Sequence, residues 1–254
     1  MPTLDTPLAL VTDALSFAGP AAVNSLLAAG FRVIAVDRAF CDPSTRDEYQ
    51  RQHPSTVALD EADTPHALVD EVIENDGLPE VIVSNDSHPA HHVAVEHARI
   101  GDLQSTLDRL LVRPFLLAQA LVPHLKQRGT GKLIFITSCR TALPQFGGAI
   151  PDMARAGANA LVRSLSIELA PFGIPVNAIA PNYLYSEAYF PKAIYEETAA
   201  GRDFIQTTVP RGRLGTQEEL AELITYLALM KGSFHTGTII PFCGAWPMSP
   251  PRPF

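Results

Sequence analysis

The sequence has few cysteines, few charged residues and no long hydrophobic run. Its three cysteines, Cys41, Cys139 and Cys243, are widely spaced and form no CxxC pair, so neither a disulfide framework nor a structural zinc site is expected. No segment reaches the roughly 18 consecutive apolar residues of a bilayer span, and no signal-peptide pattern opens the sequence. The net charge of −8 excludes the basic face that nucleic acids require. We therefore expect a soluble cytoplasmic protein with no metal site and no nucleic-acid or membrane partner.

Hydrophobic residues make up 46% of the 254 residues, enough for one core. No linker divides them, which predicts a single domain over 1–254 with an apolar tail at 244–254. Apolar runs of strand length alternate with segments of helical periodicity, which indicates a parallel sheet covered by helices on both faces. The predicted strands are Leu8–Val11, Phe31–Val36, Val57–Leu59, Val81–Ser84, Lys132–Thr137, Pro175–Ala180 and Ile239–Phe242. The predicted helices are Gly19–Ala29, Thr64–Asn75, 99–128 with an interruption at Pro114, Asp152–Ala170 and Gln217–Met230.

Ligands of such doubly wound sheets bind beyond the carboxyl ends of the strands, so the residues after each strand are the candidates. The loop after the first strand resembles the Thr-Gly-x-x-x-Gly-x-Gly motif of the short-chain dehydrogenase/reductase family, which implies a Rossmann-like fold. Asp13 and Phe17 stand at the first two glycine positions, and only Gly19 remains. A phenyl ring there fills the space that a pyrophosphate needs, and a carboxylate repels it. We therefore predict no cofactor, neither NAD nor NADP. Asp37 either binds a ribose or simply ends the second strand.

The catalytic residues of that family are also changed. Ser138 follows a strand as the family serine does, but the Tyr-x-x-x-Lys positions hold Pro151 and Arg155, and the helix asparagine aligns with Leu110. The loop after the sixth strand reads Pro-Asn-Tyr-Leu at 181–184. Together these features resemble the halohydrin dehalogenases, a nicotinamide-free subfamily. Its members convert vicinal halohydrins to epoxides and halide, and reopen epoxides with small anions.

The resemblance implies a homotetrameric lyase whose partners are a halohydrin or epoxide and a small anion. Ser138 would hold the substrate oxygen. In that subfamily an arginine, here Arg155, lowers the pKa of the catalytic tyrosine. The implied halide pocket consists of Phe17, Pro181, Asn182, Tyr183, Leu184, Tyr189 and Phe190, and the implied substrate contacts are Asp86, Pro144 and Phe146. Long helices at 99–128 and 152–170 would form one interface, and the tail with Trp246 would reach a neighbouring subunit.

No tyrosine lies between Ser138 and Arg155, so the proton carrier is open. Pro151 is typical of a first helical turn, while Asp152 points about 100° away from it. Loop tyrosines Tyr183, Tyr185 and Tyr189 are candidate bases or pocket walls.

Two alternatives to this lyase also remain. One is a catalytically silent relative that keeps the anion pocket and the oligomer surfaces; Arg155 itself has a structural alternative, pairing with a carboxylate such as Asp86 or Asp152. The other is a reductase that uses NAD or NADP.

Overall fold

Seven parallel strands form one sheet in the order β3-β2-β1-β4-β5-β6-β7. The computed structural model describes residues 6–248. The strands are β1 (Leu8–Val11), β2 (Arg32–Val36), β3 (Thr56–Leu59), β4 (Val81–Asn85), β5 (Lys132–Ile136), β6 (Val176–Pro181) and β7 (Ile239–Phe242). The order reverses between β1 and β4, so the loops after these two strands diverge and leave a crevice for a ligand. The predicted α/β sheet is confirmed.

Nine α-helices connect the strands within the described residues. They are α1 (Gly19–Ala28), α2 (Pro43–Gln52), α3 (Pro65–Asn75), α4 (Ile100–Leu107), α5 (Arg113–Arg128), α6 (Ala149–Leu169), α7 (Lys192–Tyr195), α8 (Ala199–Thr208) and α9 (Gln217–Leu229). No described helix is both long and apolar enough to cross a membrane.

Helices cover both faces of the sheet, as predicted. Ala9 and Val11 of β1 pack into a core with α1 and α9, while Leu8 and Leu10 pack into a second core with α3, α5 and α6. Successive strand residues point to opposite faces, so a strand buried on both sides must be apolar at every position. This is why β1 and β5 were recognisable as continuous hydrophobic runs.

The predicted helices differ from the structure at the Pro114 interruption and by the absence of α2, α7 and α8 from the prediction. The long helix is not interrupted at Pro114; instead a π-helical turn at Asp108–Val112 joins α4 to α5, and Pro114 lies in the first turn of α5. Proline has no backbone N–H to donate, and the wider π-helical turn before Pro114 accommodates the missing hydrogen bond. Helix α2 has no apolar periodicity and escaped prediction. Asp42 caps it by accepting hydrogen bonds from the amides of Ser44 and Thr45.

Candidate active site

A cavity of about 170 Å³ opens at the carboxyl edge of the sheet. It lies beyond β5 and β6 and is closed by the first loop and by the loop after β6. Ser138, Pro151 and Arg155 line it. So do all of the residues predicted for the halide pocket, namely Phe17, Pro181, Asn182, Tyr183, Leu184, Tyr189 and Phe190. Residues from three distant parts of the sequence therefore meet in one place.

Ser138 stands just beyond the end of β5 and is buried. Its hydroxyl donates a hydrogen bond to the Pro181 carbonyl at 3.0 Å and accepts one from the Arg140 amide at 3.2 Å. The side chain of Asn159 on α6 donates to the Ser138 carbonyl at 3.0 Å. These contacts fix the serine between β5, β6 and α6, with its hydroxyl at the cavity wall.

Arg155 lies on α6 and is 5% exposed. Its guanidinium donates to the Ile136 carbonyl at 3.4 Å and to the Tyr189 hydroxyl at 3.2 Å. The alternative that Arg155 pairs with Asp86 or Asp152 is wrong. Asp152 instead pairs with Arg140, and Asp86 accepts a hydrogen bond from the Ser84 hydroxyl. Arg155 thus keeps its charge directed at the cavity.

Pro151 has the structural position that the sequence suggested. It is buried in the first turn of α6, where its missing amide hydrogen costs no helical hydrogen bond. Its ring lines the same cavity as Arg155, which lies one helical turn later on α6. Position 151, from which the tyrosine of the Tyr-x-x-x-Lys motif would direct its hydroxyl at the cavity, therefore carries an apolar ring.

The first loop keeps the backbone of a glycine-rich loop without its glycines. Asp13 and Phe17 have φ angles of 44° and 51°, in the left-handed region that favours glycine. The Phe17 ring meets the Tyr189 ring edge-on, with 4.9 Å between centroids, and lies 6.0 Å from the Arg155 guanidinium carbon. The phenyl ring is thus packed into the site and takes up space that a phosphate group would need.

A buried ion-pair network occupies the neighbouring space. Arg109 pairs with both Asp13 and Glu61, and Arg113 pairs with Glu61 at 2.7 Å. Burial raises the pKa of Asp13, and the positive charge of Arg109 opposes that rise. Ser87 donates its amide hydrogen, at 2.8 Å, to the second carboxylate oxygen of Asp13. This network joins the ends of β1, β3 and β4 across the edge where a dinucleotide would lie.

The residues present do not fit a nicotinamide dinucleotide. The space between Thr12, Asp37 and Glu61 measures about 20 Å³, room for about one water molecule. The Asp37 carboxylate accepts the amide hydrogens of Leu15 and Ala39, both at 3.0 Å. The Asp37 carboxylate is therefore bonded to backbone amides of the protein itself, in agreement with the prediction that this residue simply ends the second strand.

We expect NAD(H) and NADP(H) at 1 mM to leave the thermal unfolding midpoint unchanged. A ligand at a hundred times its dissociation constant would stabilise the fold by about 2.7 kcal/mol, which is easily detected by differential scanning fluorimetry. A short-chain reductase measured alongside serves as the positive control. A midpoint that rises with dinucleotide concentration would contradict the fit described above.

The three predicted substrate contacts do not line the cavity. Asp86 is buried beside the smaller space near Asp13, Pro144 is exposed, and Phe146 is 89% exposed. In the segment after β5 the alternate residues Leu143 and Gln145 line the cavity instead. Pro144 and Phe146 are the sequence neighbours of these lining residues, and the sequence does not give the direction of side chains in a segment without regular structure.

Trp246 is a cavity residue that the sequence did not reveal. It was expected to reach a neighbouring subunit, yet it is 4% exposed within its own chain. Its ring lies 5.7 Å from that of Tyr183. The rest of the predicted tail, 249–254, lies outside the described residues. His88 and Thr137 also line the cavity; His88 belongs to the candidate segment after the fourth strand, whereas Thr137 was predicted as part of the fifth strand.

Comparison with known proteins gives two kinds of relative. Residues 18–244 match a family model described as enoyl-(acyl carrier protein) reductase. An acetoacetyl-CoA reductase from Cupriavidus necator is 27% identical over 240 residues, covering 91% of this chain and 94% of the relative. A solved structure described as a dehalogenation enzyme is 34% identical, with a TM-score of 0.89 over 96% of this chain and 99% of its own. A halohydrin dehalogenase bound to ethyl (2S)-oxiran-2-ylacetate is 31% identical, with a TM-score of 0.92 over 97% of this chain and all of its own.

Proposed function

The chain belongs to the short-chain dehydrogenase/reductase superfamily, since the family model matches most of its length, and we propose that it is a nicotinamide-independent lyase within it. The proposed reaction closes a vicinal halohydrin to an epoxide and halide, and in reverse opens an epoxide with a small anion. The observation that carries the proposal is the Phe17 ring, which fills the phosphate loop and at the same time forms a wall of the cavity that holds Ser138 and Arg155. One substitution thus closes a cofactor site and shapes a smaller pocket.

The cavity walls suit a weakly hydrated anion. The edges of aromatic rings are electropositive, and Phe17, Tyr183 and Phe190 supply rings on one side. The Arg155 guanidinium is buried without a carboxylate partner among the described residues. Asp86 is close enough for the charge of Arg155 to oppose the rise of its pKa but forms no ion pair with it, so the guanidinium can still attract the negative charge of an anion in the cavity. A halide leaving group, or the anion that opens an epoxide, would supply that charge.

Ser138 has the position to hold the substrate oxygen. Its hydroxyl is anchored to the Pro181 carbonyl at rest, but a hydroxyl hydrogen rotates to suit its partner. When a substrate alcohol or epoxide enters, the serine can donate to its oxygen, where negative charge develops as the ring closes or opens. Hydrogen-bond donors directed at developing charge in a dry cavity contribute strongly to catalysis.

A reductase function remains the second candidate, because the family model and curated relatives such as the acetoacetyl-CoA reductase carry reductase names. It requires a dinucleotide to displace Phe17 and the Asp13–Arg109 pair. It also lacks the family hydroxyl at Pro151. Incubating the protein with vicinal bromo- and chloroalcohols and measuring halide release distinguishes the candidates. Halide release without added dinucleotide supports the lyase, whereas dinucleotide-dependent ketone reduction would overturn it. Silence in both assays, with bromide still protecting against thermal unfolding, would favour the anion-binding relative.

Replacing Ser138 by alanine should lower kcat/KM for halide release about a hundredfold, the usual cost of removing one donor to a developing oxyanion. Steady-state kinetics on the best bromoalcohol of the panel measures this loss. Ser25→Ala is a matched control, because Ser25 is also buried but donates only to the Ala22 carbonyl within α1. Full activity in Ser138→Ala would remove the serine from the mechanism.

A further inference from the structure

The proposed reaction moves a proton, and the residues of α6 that line the cavity, Pro151 and Arg155, offer no hydroxyl to carry it. Asp152 is engaged by Arg140, and Pro151 has no exchangeable proton. The loop after β6 carries three tyrosines that could take over this step, Tyr183, Tyr185 and Tyr189. Their surroundings differ enough to separate them.

Two of the three tyrosines are unsuited to the role. Burial raises the pKa of Tyr183, whose ring packs against Phe190 and Trp246, so its phenol holds its proton more tightly than an ordinary tyrosine. The Tyr185 hydroxyl donates to the carboxylate of Glu187 at 2.8 Å, and the ring does not line the cavity. The charge of Arg140 opposes the rise of the Tyr183 pKa without overcoming it, and among the described residues no arginine donates a hydrogen bond to the hydroxyl of Tyr183 or Tyr185.

Tyr189 differs because its hydroxyl meets Arg155. The Arg155 guanidinium donates to the phenol oxygen at 3.2 Å, and the His88 amide donates to the same oxygen at 3.0 Å. The phenol in turn donates its own hydrogen to the His88 carbonyl at 2.8 Å. The oxygen thus receives two hydrogen bonds that would persist on a phenolate, one of them from a buried cation.

We infer that Tyr189 is the proton carrier of this site, replacing from the facing loop the hydroxyl that Pro151 removes from α6. The inference rests on the proposed function and deepens it. Arg155 lies one helical turn after Pro151, so its guanidinium faces the position where a side-chain hydroxyl at 151 would stand. In this chain the Tyr189 phenol approaches the same guanidinium from the opposite wall of the cavity. Ser138 lines that cavity too.

The proton and electron pairs balance in both directions. In ring opening, the anion's electron pair forms the new bond to carbon, and the electrons of the broken C–O bond stay on oxygen. That oxygen takes the proton from Tyr189, and solvent returns a proton to the phenolate. In ring closure, the Tyr189 phenolate takes the alcohol proton, the oxygen forms the bond to the neighbouring carbon, and the halide leaves with the C–X electron pair. No oxidant, reductant or further reactant is needed.

At rest the Tyr189 hydroxyl is a hydrogen-bond donor to the protein backbone. The phenol hydrogen bonds to the His88 carbonyl, and rotation about the C–O bond is enough to turn it to another acceptor. Once the proton has left, Arg155 and the His88 amide hold the negative oxygen in place. Arg155 therefore positions and stabilises the carrier, while Tyr189 exchanges the proton with the substrate.

The test compares Tyr189→Phe, Tyr185→Phe and Pro151→Tyr with the wild-type protein, using a vicinal bromoalcohol for ring closure and an epoxide with azide for ring opening. Tyr189→Phe should lower both rates at least a hundredfold, within the range expected for loss of an acid–base group. Tyr185→Phe should keep wild-type rates. Protection of Tyr189→Phe by bromide against unfolding shows that the pocket is intact.

Each remaining outcome decides a separate claim. An active wild-type protein whose Tyr189→Phe variant keeps its rates on both substrates overturns the role of Tyr189 and leaves the proposed function standing. A silent wild-type protein that gains activity on Pro151→Tyr also overturns it, since Tyr189 then supplies no proton although the rest of the site works. Silence of both proteins on both substrates overturns the proposed function together with this inference.

Discussion

Replacing Arg109 by methionine should destabilise the fold by about 3–5 kcal/mol, the typical cost of removing one partner of a buried ion pair. Arg109 is 7% exposed and is paired with the carboxylates of Asp13 and Glu61. Methionine has a similar length but leaves both acids without this cation. Asp13 cannot move to solvent, because Ser87 and the strained backbone of the first loop hold it in place.

Urea unfolding, followed by circular dichroism, measures this loss as a lower midpoint at an unchanged slope. The protein concentration must be held constant, since the expected homotetramer would link unfolding to association. Arg99→Met is the matched control, because its ion pair with Asp102 lies on the surface and its loss should leave the midpoint unchanged. Equal stability of Arg109→Met and wild type would mean that the network contributes nothing to the fold.

The free energy of unfolding should fall as the pH rises from about 4 to about 7, because Asp86 releases a proton in the folded state late in this window. Burial raises the pKa of Asp86 from 3.8 to about 7, and the nearby charge of Asp13 adds to the rise. The hydrogen bond from Ser84 and the charges of Arg109 and Arg155 oppose it. The unfolded chain releases the proton near its ordinary value, so the folded state binds more protons throughout the window.

The direction of this pH dependence follows from the linkage between proton binding and folding. A carboxyl group whose pKa is raised by folding contributes stability that is complete below the unfolded value and is lost as the pH passes the folded value. A rise from 3.8 to about 7 corresponds to a contribution on the order of 4 kcal/mol. Asp13, whose pKa is also raised, changes stability in the same direction.

Unfolding titrations between pH 4 and 8 test this dependence. Asp86→Asn carries no ionisable group, so its stability should fall much less over the window, and at pH 8 it should exceed that of the wild-type protein. Asp203→Asn, an exposed substitution on α8, should keep the wild-type slope. A wild-type slope that persists in Asp86→Asn would show that another group titrates.

Much of the fold was readable from hydrophobic pattern. The predicted bounds of β1 and β7 match the structure, and β5 differs by one residue. Strands β1 and β5 are buried and so must be continuously apolar, whereas β7 is a partly exposed edge strand that its short apolar run still marked. Helices α2, α7 and α8 were missed. Helix α2 is polar and α7 has only four residues, so their apolar residues give little signal. Helix α8 is amphipathic and buries Ile205 in a small separate cluster, a signal that the prediction did not use.

The candidate site was readable in part. The first loop, Ser138 and the loop after β6 follow strands that the pattern located, so their meeting at one edge of the sheet could be inferred. The contacts Asp86, Pro144 and Phe146 could not be judged, because the direction of a loop side chain depends on the path of the backbone. Trp246 lies beyond the last strand, where no periodicity fixes the position of a residue.

The sequence by itself determined the sheet, its edge and the aromatic ring in the phosphate loop, because each follows from residues that are neighbours in the chain. Only the tertiary structure decided which charges meet. Arg109 reaches Asp13 across 96 positions of sequence, and Arg155 reaches the Tyr189 hydroxyl across 34. Such contacts arise where separate strand ends and helices converge, and their partners are set by packing rather than by spacing along the chain. Tyr189, the proposed replacement for the hydroxyl missing at Pro151, was therefore identified from its contact with Arg155 and not from its spacing in the sequence.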